Sequence, residues 1–78
     1  MIIEFTISHV LLDVNGRKVE IGGDLIKTKD KKTGFDTSLR QQLYWTDGSS
    51  ISDTELKTIE SILRKDFMEN GWVLYLRT

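Results

Sequence analysis

The chain has no cysteine and no proline among its 78 residues. Without thiols there is neither a disulfide framework nor a thiolate metal site, and a reducing cytoplasm is the natural setting. A single histidine and no alternating acidic loop leave no zinc or calcium pattern, so no metal is expected. No run approaches the length needed to span a membrane. The apolar start, Met1 to Ile7, carries Glu4 and no basic leader, and so reads as a strand and not as a signal peptide. Charge of one sign is also missing: 11 basic against 12 acidic side chains give a net charge of −1, which argues against nucleic acid as the default partner. Gly22-Gly23 lacks the spacing and the following helix that would aim N–H groups at a phosphate, and no cofactor site can be read. The length suits one domain, residues 1–78.

What is present is organised by Ser52 to Asn70. Ser52 followed by Glu55 is a capping box, so a helix is expected to start at Asp53. Asp53 and Glu55 in the first turn, with Arg64 and Lys65 toward the last, complement the helix dipole, and Gly71 supplies a left-handed stop. Leu56, Ile59, Ile62, Leu63 and Phe67 share one side. Burying five such side chains is worth roughly 8–15 kcal/mol before chain entropy is subtracted, so a sheet must lie beneath them. Asp66 falls inside this apolar arc. It either marks the wet border of the stripe or pairs with His9, Arg40 or Arg77, or faces a partner.

Ile3, Phe5 and Ile7 alternate with polar residues and read as an inward row; from Val10 the phase changes, which places a bulge or tight turn at Ser8-His9. Asn15-Gly16 predicts a two-residue hairpin in which Val14 meets Arg17, Asp13 meets Lys18, Leu12 meets Val19 and Val10 meets Ile21. Gly22-Gly23 is expected to break the strand, Asp24–Lys29 to form a short third one, and Phe35–Thr37 to pair back across a polar turn. Ser38–Trp45 fits a helical turn or a strand, with the balance toward a strand. Thr46–Ile51 is a loop, with Ile51 stapled onto the helix. Trp72–Arg77, apolar at nearly every position, reads as a strand covered on both faces or central in its sheet. The fold class is therefore α+β: an antiparallel, twisted sheet of four to six strands with one helix packed on one face, in the order strands, helix, strand.

No catalytic constellation stands out. His9 with Ser49, Ser50 or Ser52 is a weak nucleophile pairing, because serines in that stretch are what a helix entry requires anyway. Lys27, Lys29, Lys31 and Lys32 form either a basic finger for phosphates or a solvated turn that discourages edge aggregation. Tyr44-Trp45 followed by Asp47 is a polar-aromatic group suited to anchoring a protein partner, although Trp45 serves equally as a cap on the core. Tyr44, Trp45, Asp47 and Asp66 are the candidate partner-binding residues.

The order of signals, Asn15-Gly16-Arg17-Lys18-Val19, Gly23-Asp24-Leu25, Gly34-Phe35, Trp45, then Ile51-Ser52 with Glu55 opening a helix that carries Ile59 and Ile62, is similar to the immunity protein 74 family of bacterial polymorphic toxin systems. Members of that family follow the tryptophan with prolines, whereas this chain has Thr46-Asp47-Gly48. The resemblance implies a cytoplasmic immunity protein that binds and blocks a cognate toxin domain with no catalysis of its own. Apart from it, the residues lead us to expect no membrane and no small molecule as partner. The alternative is a small nucleic-acid-binding or regulatory module of a mobile element, using the Lys27–Lys32 turn.

Overall fold

A computed structural model describes residues 1–77. In chain order it contains β1 (Ile2–Phe5), β2 (His9–Val14), β3 (Arg17–Lys27), β4 (Thr33–Ser38), α1 (Asp53–Glu69) and β5 (Val73–Arg77). The strands form one mixed sheet in the order β1-β2-β3-β4-β5, with the helix packed over one face.

The β2–β3 hairpin has the register the alternation dictates, Val14 opposite Arg17 through Val10 opposite Ile21. Asn15 (φ 53°) and Gly16 (φ 87°) both occupy the left-handed region, as a two-residue turn with the right-handed twist of its strands requires. Val10, Leu12, Val14, Val19 and Ile21 thereby point to one face, where they are buried with Phe35, Ile59, Leu63 and Phe67. Leu56 and Ile62 flank this core half-buried.

The helix begins as its capping box demands. Ser52 Oγ accepts from Glu55 N (3.1 Å) and Glu55 Oε1 accepts from Ser52 N (2.9 Å). It ends with Gly71 at φ 70°, where Gly71 N donates to Met68 O and Trp72 N to Phe67 O, closing the carbonyls of the last turn. Arg64 and Lys65 fall short of that last turn, which holds no basic residue.

Four local expectations are corrected. In β1, Ile2 and Phe5, not Ile3 and Ile7, face the core, because a register shift between Ile2 and Glu4 moves Ile3 outward. Phe5 then packs among Phe35, Phe67 and Trp72 at centroid distances of 5.0–5.4 Å. The phase change lies in the tight turn at Thr6–Ser8, where Thr6 N donates to His9 O. Second, Gly22-Gly23 does not break β3. It is where the strand changes partner, from β2 up to Gly22 to β4 from Gly23. A Cβ on Gly23 would lie 2.5 Å from Asp36 O and 2.6 Å from Phe35 Cζ, so the glycine permits close approach of two backbones.

Third, residues 39–43 form no strand; only Tyr44 and Trp45 make isolated bridges, to Ser50 and Val19. Finally, β5 is an edge strand running parallel to β4. One helix carries the chain back along the sheet, so the strand after it runs in the direction of the strand before it. Its density of apolar residues reflects two different uses. Leu74 and Leu76 pack against the core, while Tyr75 stands 45% exposed on the other face.

Candidate functional site

The connection from β4 to α1 is the least regular part of the chain and carries most of the candidate residues. It is fastened to the free side of β3 in two places. Gln41 uses its side-chain amide as a substitute strand: Nε2 donates to Gly22 O (2.8 Å) and Ser38 O (2.7 Å), and Oε1 accepts from Gly22 N (3.3 Å). A few residues on, Trp45 pairs with Val19, and Thr46 N donates to Lys18 O (2.8 Å).

From there the chain turns tightly. Gly48 N donates to Trp45 O, and Trp45 N to Ser49 O, around Gly48 at φ 91°. Asp47 closes the turn by accepting from Ser49 N (2.8 Å) and Ser49 Oγ (2.5 Å). These bonds, the hydroxyl first, hold the Asp47 carboxyl below its ordinary pKa, with the Arg17 charge adding to them.

Trp45 and Tyr44 point opposite ways. Trp45 is 3% exposed and belongs to the core. Arg17 lies over its ring, 4.3 Å from the centroid, with Nη1 on Glu55 Oε2 (2.8 Å) and Nη2 on Ser49 Oγ (2.6 Å). Glu55 is held below its ordinary pKa, first by the Ser52 N–H it receives in the capping box, then by the Ser52 hydroxyl and Arg17. The Trp45 indole N–H adds a smaller pull on Glu55 without reaching hydrogen-bond geometry.

Tyr44 is 46% exposed, and its phenol accepts from Gln42 Nε2. It stands at the rim of a recess of about 270 Å³ lined by Leu39, Leu43, Ile51 and Leu56 with Gln41, Gln42 and Ser50. Ile51 and Leu56 are the two ends of the hydrophobic staple, so this floor is set by the same residues that fix the helix entry. A second recess of about 200 Å³ shares Leu39 and Leu56 and is bounded by Arg40, Lys57 and Glu60.

The remaining candidates lie elsewhere. Asp66 accepts from Ile2 N (2.7 Å) and is 3.7 Å from the Met1 amino nitrogen. It therefore pins β1 to the helix, a backbone partner that side-chain reasoning over His9, Arg40 and Arg77 did not consider. His9 pairs with Glu4 (2.7 Å) and Thr6 (3.1 Å), not with a serine. Thr6 Oγ1 in turn accepts from Ser8 N and His9 N, so this hydroxyl caps its own turn. Ser49 is engaged by Arg17 and Asp47, and Ser52 by the helix cap. Arg77 pairs with Asp36 (3.1 Å).

Lys29, Lys31 and Lys32 lie exposed around the turn after β3, which Thr28 ties by accepting from Lys31 N and Lys32 N; Lys27 Nζ donates to Thr33 Oγ1. Among the described residues no group of three or more His, Cys, Asp or Glu is placed to hold a metal ion, and no helix is long and apolar enough to cross a membrane.

What the connection offers is a recess in which aliphatic side chains alternate with the polar groups of Gln41, Gln42 and Ser50, with one half-exposed aromatic on its rim. Comparison with protein-family models, with curated proteins and with solved structures finds no match to this chain.

Proposed function

We propose that the chain is a toxin-neutralising immunity protein that acts in the cytoplasm by binding a cognate toxin domain and blocking it, without catalysis of its own. The observation that carries this reading is Tyr44, half-exposed beside the recess of Leu39, Leu43, Ile51 and Leu56 on a connection clipped to β3. A half-exposed aromatic next to a depression that offers both aliphatic side chains and polar groups is the kind of surface on which binding energy concentrates. Because Gln41 and Trp45 fix the connection before any partner arrives, little ordering cost remains to be met on association. The class of partner is taken from the resemblance of the order of motifs to that of the immunity protein 74 family. Within this reading Tyr44 makes the contact, Trp45 supports it from the core, Asp47 shapes the adjoining turn, and Asp66 holds β1 outside the contact area.

Co-expression with the product of the neighbouring upstream gene tests the proposal. The expected result is rescue of growth and a complex that survives size-exclusion chromatography, with Tyr44→Ala weakening it at least tenfold. Absence of both rescue and complex overturns the reading.

A further inference from the structure

The second recess, between Leu39 and Leu56, differs from the first in what surrounds it. Its floor is apolar, and its charged boundary consists of Arg40, Lys57 and Glu60. Glu60 is already turned onto Arg64, at 3.2 Å. Arg17, Arg64 and Arg77 each meet a carboxylate, whereas Arg40 makes no side-chain ion pair or hydrogen bond with any described residue. Lys57 likewise makes none among the described residues, and both side chains are exposed. Two cations with no ion pair among the described residues thus flank an apolar floor, beside a Glu60 carboxylate that is engaged by Arg64.

We propose that this recess takes an aliphatic or aromatic side chain of a protein partner that is flanked in its own sequence by carboxylates, the carboxylates meeting Arg40 and Lys57. The recess volume of about 200 Å³ accommodates one such side chain. The apolar contact supplies affinity, and the flanking cations select acidic neighbours and penalise basic ones. An arginine can grip a carboxylate through two parallel N–H groups, which sets the direction in which the peptide crosses the recess. The inference deepens the proposed inhibitor role by giving the chemistry of the partner's anchor. At this position it calls for an acidic segment even where the toxin domain as a whole is basic.

The test is a titration of the isotope-labelled full chain, followed by amide NMR, with the blocked peptide Gly-Glu-Phe-Glu-Gly. Two controls, Gly-Gln-Phe-Gln-Gly and Gly-Glu-Ala-Glu-Gly, remove the charges and the ring separately. Shifts centred on Leu39, Arg40, Leu56 and Lys57, with affinity at least fivefold above both controls, are expected. The double variant Arg40→Glu, Lys57→Glu should abolish them while leaving the melting temperature within a few degrees. Equal binding of the Glu and Gln peptides, shifts elsewhere, or no shift at all overturns the assignment. If the peptide binds as stated but no toxin complex forms, the inhibitor role fails and the recess assignment stands. If the toxin complex forms and the double variant binds the toxin as tightly as the parent chain, the recess assignment fails and the inhibitor role stands.

Discussion

Arg17 joins Trp45 to the helix entry: its guanidinium covers the indole at 4.3 Å and reaches Glu55 and Ser49 with its two terminal nitrogens. Through this one side chain the tip of the β2–β3 hairpin, the 44–50 turn and the first turn of α1 are tied together.

Replacing Arg17 by Ala should therefore loosen the turn as well as lower stability. The cation–π contact alone is worth about 0.5–1 kcal/mol at an exposed site, which corresponds to a fall in Tm of roughly 2–8 °C for a domain this small. Arg17→Lys should recover only part, because an ammonium cannot address Glu55 and Ser49 at once while covering a ring. Trp45 emission in a Trp72→Phe background gives a second reading: a red shift in Arg17→Ala is expected, and unchanged emission and Tm would show that the cluster is ornamental.

Gly23 and Gly22 should respond differently to the same substitution. At Gly23 an added methyl meets Asp36 O at 2.5 Å and Thr37 Cβ at 2.9 Å, and a backbone carbonyl in a paired strand cannot swing aside. Gly23→Ala is expected to cost about 1–3 kcal/mol, toward the upper end of overpacking penalties. At Gly22 the nearest atom is Gln41 Oε1 at 3.3 Å, the end of a side chain, and the cost should stay below about 1 kcal/mol. Urea unfolding of the two variants checks the order; equal midpoints would contradict the crossing of β3 between two partners.

These contrasts bear on what could be read from the residues alone. Asn15-Gly16 and the Ser52–Glu55 box are local devices, in which both partners lie within three residues, so the hairpin register and the helix start were legible. Gly22-Gly23 looked like a break because the reason for a glycine there, the closeness of Asp36 and Phe35, is supplied by a strand more than ten residues away. The edge position of β5 was hidden for a related reason. Apolar density reports how much surface a strand buries, not whether one side of its backbone is left unpaired. In the candidate site, composition identified Tyr44 and Trp45 but not which would be inside; the bridge from Trp45 to Val19 decides that. Gln41 carried no signal at all, since a polar side chain acting as a strand has no periodicity.

Gln41→Ala should accordingly detach the connection from β3. It leaves Gly22 N and Ser38 O without these partners in a half-buried position, at about 1–2 kcal/mol. Gln41→Glu keeps the shape but places a carboxylate against Gly22 O and Ser38 O, so at pH 7 it should be worse than alanine. Protonation restores a donor; the folded-state pKa is then raised, and the variant should gain stability relative to the parent as pH falls through that value. A Gln41→Glu protein as stable at pH 7 as Gln41→Ala would argue that the amide does not act as a strand.

The same linkage runs in the opposite direction at Asp47 and Glu55. Both carboxyls are held below their ordinary pKa, Asp47 first by the Ser49 hydroxyl and Glu55 first by the Ser52 N–H. In acid the unfolded chain therefore takes up these protons before the folded one does. Their contribution is fully present above the ordinary carboxylate range and is lost as pH falls through that range toward the lowered folded values. Both groups are solvent-facing, so the effect is modest and shrinks with added salt. Urea unfolding from pH 7 to pH 3 should show an acid limb that flattens in Asp47→Asn and Glu55→Gln, and further when the two are combined. Because Arg17 pulls on both carboxylates, its removal should flatten the limb as well. An acid limb unchanged in all these variants would mean that the turn and the helix cap hold their shape without these charges, and that the anchoring of the 44–50 turn rests on Trp45 and Gln41 alone.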